Sequence, residues 1–460
     1  MTRDNGLWLL LATLILLPLL VATLSACSPT PTPEETIVIT FAYPQYISLF
    51  TKTNFQKLTD AFNEANPDVR IQLREIKNSD GTGVEDIGRD IMLDEEWEID
   101  VFISQGGAYA RWLAESGRIL NLQPLIEADF AWELDDFYPL VLEQFEQGND
   151  LWGIPGEAIP LGIFYNRDLF DQAGVDYPRP DWTRDEFLTT ALALRQGLPE
   201  KYFSFAGACR AAVPFIYAHG GALVDAESIS SPLEEPLPTL DDPLTAEALQ
   251  WYLDLALVHG VMPTLAQVEA YTLESSPNSQ AGVSVSSSGE LGAGRRQCLY
   301  ADATLNLSAD YGQAAMWVAP FSGYSSAWEF KWGVVPLPRD AVEAVVMKSY
   351  GYYVTAHCKR PQEALRWIDY LTRQRVDIPG FPARRSVAQG TAFRNRLADG
   401  IEPEALDAYS SLLETGQAVE SWLAPSGGPY YLGEAMLDVY EHGEDVETAL
   451  RKAQQKISVP

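Results

Sequence analysis

Sixty-four carboxylates stand against 32 Lys and Arg and four His in this chain of 460 residues, so acid–base chemistry is the first to look for. Two carboxylates flanking a sugar bond hydrolyse it, which makes a secreted carbohydrate-active enzyme one reading. With so many acids, however, a pair at that separation arises by chance and decides nothing. No G-x-S-x-G, H-E-x-x-H or Walker sequence occurs. His219, His259, His357 and His442 are scattered along the chain, and structural roles are expected of them. The stretch NSDGTGVEDIGR, residues 78 to 89, has the early oxygen ligands of a calcium loop but ends in Arg89, where a bidentate Glu is required. Beyond Cys27 there are three cysteines with no C-x-x-C and no neighbouring His, so metal-ligand spacing is absent. The expectation is a protein without metal, cofactor or catalysis.

The net charge of −32 weighs against nucleic acid, whose phosphates require cations. It reads as a solubilising surface or, alternatively, as attraction for a cationic ligand. At the start, MTRDNG is followed by the apolar run Leu7 to Leu24 and by small residues at Ser25 and Ala26. That is the pattern of a secretory signal; a transmembrane helix of the same length is the competing reading. Leu24-Ser25-Ala26-Cys27 resembles the bacterial lipobox, which implies residues 1–26 as signal peptide and a lipid anchor on Cys27. The Pro/Thr-rich tether at 27–36 would then hold the next domain roughly 25 to 30 Å from the membrane. Outside the cytoplasm one disulfide with an odd thiol is allowed, and Cys209 with Cys298 is the expected pair.

TIVITFAY reads as a strand, NFQKLTDAFNEANPDV as a helix ended by Asn66-Pro67, and VRIQLREI as the next strand. A helix near VEDIGRDIMLDE, the strand IDVFIS and the helix ARWLAESG continue the alternation. Alternating β and α predicts a largely parallel sheet, with ligand loops beyond the strands' carboxyl ends at Ala42 to Tyr46 and Ser104 to Tyr109. Downstream, IPLGIFYN is a buried strand, Arg167 to Gln172 a short helix stopped by Gly174, and Thr183 with Glu186 a capping box. Further helices are expected over DPLTAEALQWYLDLALVHG, from Gln362 to Leu371, and over VETALRKAQQKI.

The blocks AFNEANPDV, WGIPGEAIPLGIFYNRDLFDQAG, WTRDEF, DPLTAEALQWYLDLALVHGV, GQAAMW, WGVVPLP, GFPARRSVA and VETALRKAQQKI resemble, in order, the extracellular solute-binding proteins of ATP-driven importers. The family concerned is the carbohydrate-binding one that includes maltose-binding protein. The resemblance implies an α/β, two-lobed periplasmic-binding-protein fold of type II, with hinge-linked lobes and central, mostly parallel sheets. Lobe 1 would comprise 37–158 with 339–380, and lobe 2 would comprise 159–338 with 381–460. Crossings would fall near GEAIP, PLPRD and GFPA. It further implies an extracytoplasmic monomer that captures a sugar in the cleft and delivers it to permease subunits of an ABC importer. The stretch from 264 to 311, rich in Ser and Gly, departs from the family pattern.

Sugar recognition combines flat apolar faces for the pyranose ring with planar polar side chains for its hydroxyls. Carried over from the family, the aromatic positions are Tyr43, Tyr46, Tyr109, Trp317, Trp422, Tyr430 and Tyr431. The polar ones are Gln45, Ser104, Gln105, Glu157, Arg210 and Arg384. Several keep a second reading: Trp317 and Tyr430 as core, Glu157 as a cap for backbone, Arg384 as a pin for the third crossing. The same aromatics would hold a polyamine, a cationic amino acid or a peptide through cation–π attraction.

Overall fold

In the computed structural model, β1 (Ile37–Pro44) buries Ile39, Phe41 and Ala42 and runs parallel to β2 (Val69–Ile76), in register from Ile37 opposite Val69 to Pro44 opposite Ile76. The model describes residues 36–44, 55–76, 98–128, 132–207, 209–224, 239–264, 266–268, 309–325, 327–374, 380–395, 400–420 and 428–457. Between the two strands lies α1 (Phe55–Ala65), whose Phe55, Thr59 and Phe62 recur every three or four residues and therefore form one buried stripe. The third strand, β3 (Val101–Gln105), joins β1 on its other side, also parallel. After it, Gly107 takes φ 66° and opens α2 (Ala108–Glu115).

The long strand β4 (Ile154–Asn166) organises the rest. Its exit is punctuated as the sequence predicts. Asn166 accepts from Leu169 N to start α3 (Arg167–Ala173), which Gly174 ends at φ 66°. Thr183 and Glu186 then close a capping box on α4 (Arg184–Gly197). Helices α5 (Cys209–Ala218) and α6 (Pro243–Leu257) follow, and β5 (Met316–Pro320) and β6 (Trp332–Pro336) return to pair antiparallel with residues 161–166 of β4.

The first half of β4 has different partners. Residues 154–160 pair antiparallel with β7 (Ala344–Val354), whose far edge pairs antiparallel with β3. Downstream come α7 (Pro361–Arg373) and the two-residue β8 (Phe381–Pro382), which adds to Ala158 and Glu157 of β4. The chain closes with α8 (Pro403–Thr415), β9 (Gln417–Glu420), α9 (Gly428–His442) and α10 (Val446–Ile457). β9 runs parallel to Ala344–Met347 at the start of β7. Parallel pairing thus covers β2-β1-β3 and this short addition, while every strand paired with β4 is antiparallel. The reason is topological, since β5 to β8 come back toward the strand that left.

Two aromatic cores hold these halves. In the first, Phe41 meets Phe55 and Trp367 edge-on at 5.3 and 5.8 Å, and Phe62 packs on the same Trp367. In the second, Phe187, Phe205 and Phe215 interlock while Phe164 contacts Trp317 and Trp332. Each fully buried ring of this kind contributes about 1.5–3 kcal/mol through removal from water. The fold is accordingly two α/β lobes, and the pairing partners of β4 change between Pro160 and Leu161.

Candidate functional site

At the lobe junction the strand register builds one row of side chains. Tyr350 on β7 stands opposite Gln105 of β3 on one side and Glu157 of β4 on the other, and Glu157 stands opposite Pro382 of β8. Directly opposed residues point to the same face of a sheet. Gln105 and Glu157 therefore share a face with Tyr350 between them, about 10 Å apart across two strand spacings. An extra residue in β4 between Pro155 and Glu157 breaks the register here, and such bulges re-aim side chains. Gly156 makes room: a Cβ there would stand 3.0 Å from the Tyr352 ring.

Glu157 is buried, and its carboxylate accepts a 2.7 Å hydrogen bond from the backbone N–H of Gly380, which precedes β8. A Cβ on Gly380 would lie 2.3 Å from the Glu157 Oε2, so only glycine lets the carboxyl reach that N–H. Burial pushes the Glu157 carboxyl up to about 8, against the opposing pull of the Gly380 bond. The hydroxyl of Tyr352 is buried without a partner among the described residues, and burial first and the charge of Glu157 second raise its pKa. At neutral pH this corner is a neutral acid beside a phenol, able both to donate and to accept.

The loop after β3 is tied to the junction as well. Gly106 N donates to Ser349 O at 3.0 Å and Gly107 N to Gln144 O at 2.6 Å, while the Tyr353 hydroxyl donates to the carbonyl of Gln105. On the other lobe, Phe321 N donates to Pro160 O at 2.8 Å. This seats the turn Phe321–Tyr324 beside the point where β4 changes partners. Tyr324, half-buried, stacks on Trp332 at 5.2 Å.

Not every expected residue joins this row. Tyr43, at the carboxyl end of β1, is half-buried against Phe55, with ring centroids 4.8 Å apart. Ser104 is buried opposite Gly351, one position from Gln105 and so on the other face. Tyr109 is buried in α2 with its edge toward Trp112, and Arg210 is half-buried in the first turn of α5. Gln45, Tyr46, Trp422 and Cys27 lie outside the described residues, as do the side chains of Tyr430 and Tyr431, whose backbones belong to α9.

For two residues read either as ligand contacts or as structural, the structure shows partners within the protein. Trp317 offers no open platform in this conformation: it sits within β5, 4% exposed, stacked on Phe164 and edge-on to Trp328. Arg384 is fully buried and spent on the protein itself. Its guanidinium donates to Thr372 Oγ1 at 3.0 Å, Asp369 Oδ1 at 2.8 Å and Asp136 Oδ2 at 3.3 Å, over the Phe137 ring. Burial alone would raise the Asp136 carboxyl, but bonds from Ser386 and Arg384 hold it below its ordinary value. Next to it, Arg385 pairs with Glu414 of α8. Cys209 is in a disulfide whose other half lies outside the described residues, and Cys358 is a buried free thiol. Sequence reasoning missed Tyr350, Gly380 and Tyr324. Gly380 had a signal, since it precedes a Phe-Pro read as a crossing, but what links it to Glu157 is a contact over 223 residues.

A family model described as bacterial extracellular solute-binding protein matches residues 51–294, just over half of the chain. Among curated proteins no relative matches. Solved structures match over 92% of this chain. One is the ABC substrate-binding protein Lmo0181 of Listeria monocytogenes in complex with cycloalternan, at 18% identity over 98% of that chain with a TM-score of 0.60. UgpB of Mycobacterium tuberculosis in complex with glycerophosphocholine matches at 17% identity over 97% of its chain, TM-score 0.62. A sugar transporter protein of Rhizobium etli in an open conformation matches at 16% identity over all of its chain, TM-score 0.64. At such identities the structural likeness speaks for the fold, and the family match carries the assignment: this chain belongs to the bacterial extracellular solute-binding proteins.

Proposed function

We propose that the chain captures a sugar or oligosaccharide between its lobes and delivers it to the membrane permease of an ABC importer, held to the membrane by a lipid on Cys27. The observation that carries this reading is the row Gln105–Tyr350–Glu157 on the lobe 1 side of the junction, where amide, ring and carboxyl share one face. Structural neighbours crystallised with cycloalternan, maltose and mannobiose support a carbohydrate as the class of ligand. Lobe 1 would comprise 37–158 with 339–380 and lobe 2 would comprise 159–338 with 381–460, with crossings near Glu157, Arg339 and Phe381. Tyr43 and Tyr324 would supply rings from the two sides, and Gln45, Tyr46, Trp422, Tyr430 and Tyr431 are further contacts on this reading. Ligand works by touching both lobes in the closed form and only one in the open form, which shifts the population toward closure. No bond is made or broken in the bound solute.

A second reading has its own support. UgpB is in complex with glycerophosphocholine, a zwitterion whose choline end is a quaternary ammonium, and a cation bound beside Glu157 would draw its raised pKa down and ionise it. A polyamine or a quaternary amine is the ligand class on that reading.

Thermal unfolding of the soluble chain starting at Glu34, scanned against saccharides, polyamines, choline esters and amino acids, separates the two. A true ligand at 100 times its Kd adds about 2.7 kcal/mol, which raises the midpoint by roughly 2–4 °C or more. A shift confined to saccharides supports the first reading. A shift confined to amines replaces it with the second.

A further inference from the structure

The far pole of lobe 2 carries a groove that the cleft reading does not use. Its volume is roughly 680 Å³, and Arg195, Lys201, Tyr202, Ser204, Tyr311 and Gln313 are among its walls. The groove lies where the bridge Phe203–Ala314 extends the sheet beyond the start of β5. Gln313 is seven residues before Pro320, so it stands roughly 20 Å along the strand direction from the lobe junction.

Three features of these walls leave interactions unmet. Ser204 is buried and its hydroxyl has no partner among the described residues, and neither has the shielded amide oxygen of the half-buried Gln313. Buried polar atoms are almost always hydrogen-bonded, so two orphans under one groove need an explanation. Arg195 and Lys201 stand among the groove walls, in a chain with twice as many acids as bases, yet neither has a carboxylate within ion-pair distance among the described residues. Lys201 instead lies 4.7 Å over the Tyr202 ring, and the single carboxylate in the walls is Glu200. Finally Tyr311 is 75% exposed, which leaves its ring face available at the groove.

Taken together these requirements define the occupant's chemistry. The Gln313 oxygen only accepts, so the occupant must bring a hydroxyl or N–H donor. Arg195 and Lys201, both exposed at the groove with no carboxylate paired to them among the described residues, favour an occupant with an anionic group. The Tyr311 ring offers a flat apolar face for the C–H side of a ring. We propose that this groove is a second binding site, separate from the interlobe cleft, for a hydroxylated sugar ring that bears a carboxylate. Uronic-acid units, whether in a free oligosaccharide or at the end of an envelope polymer, have this chemistry.

The test uses the soluble chain starting at Glu34 and saturation-transfer NMR. The probes are a tetrasaccharide of alternating glucuronate and N-acetylglucosamine, with maltotetraose as the neutral control. The expected result is transfer to the anionic probe, weakened roughly tenfold in the doubly substituted Arg195→Ala/Lys201→Ala chain and reduced in Tyr311→Ala. Raised salt should weaken it as well. All three positions are exposed or half-exposed, so these variants are expected to fold, and their midpoint shift with any cleft ligand should be unchanged. Absence of transfer at millimolar probe overturns the proposal, as does binding that is indifferent to both substitutions. If the double variant loses the cleft ligand's shift along with the probe, the probe was in the cleft and the second site falls, while the cleft reading stands.

Discussion

Glu157 is the residue on which most of the proposed chemistry converges. Its carboxyl, held up to about 8 by burial, keeps its proton in the folded chain from about pH 4.5 upward, while the unfolded chain has lost it. The folded state binds the extra proton, so this group's contribution to stability is fully present below about pH 4.5 and is lost as pH rises through 8. The slope within that window is about 1.4 kcal/mol per pH unit. Glu157→Gln removes it. Urea unfolding at pH 5, 6.5 and 8 is expected to give a flatter profile for the Gln variant, and equal slopes would show that the carboxyl is ionised when folded. The sequence made Glu157 visible as a polar residue between two apolar crossing segments, and left its role as ligand acceptor or backbone cap undecided. The bond to Gly380 supplies the cap. Trp317 was harder to read, because an aromatic near a strand end looks alike on either face. Only the pairing of Phe164 with Trp317 across two strands turns it inward.

At the scale of elements, the ends of helices were the most legible features. Gly174 and the capping box at Thr183 are local chemistry, settled within four residues. Strand order was less so, since the antiparallel entry of β5 to β8 onto β4 depends on contacts hundreds of residues apart. The third crossing illustrates the difference. The sequence left Arg384 as ligand contact or pin, and in the fold Arg384 ties the crossing to Asp369 of α7 and to Asp136, while Arg385 reaches Glu414 of α8. Removing Arg384 takes the buried guanidinium from between these carboxylates, both partly shielded from water, and leaves Asp369 with Arg373 and Asp136 with Ser386. Arg384→Ala is expected to cost about 2–4 kcal/mol in denaturant unfolding. Arg384→Lys should recover only part of that, because a single ammonium cannot reproduce the fork that spans Thr372, Asp369 and Asp136. A loss below about 0.5 kcal/mol would place the pinning of this crossing elsewhere.

For the molecule as a whole, the order of blocks along the chain already implied two lobes, and the partners of β4 change between Pro160 and Leu161. Which residues face the junction was legible only in part. Gln105 and Glu157 share its row, whereas Ser104 and Trp317 turn away, and parity along a strand depends on a register that sequence spacing alone does not set. Function at this scale is closure: a ligand held by both lobes must draw them together. The most direct measurement is small-angle scattering of the soluble chain starting at Glu34, with and without the saccharide that raises its unfolding midpoint. The radius of gyration is expected to fall as the saccharide saturates, and to remain at the unliganded value in a control with a saccharide that gives no midpoint shift. Saturating binding with an unchanged radius would mean that the ligand is not held between the lobes, and capture by closure would be wrong.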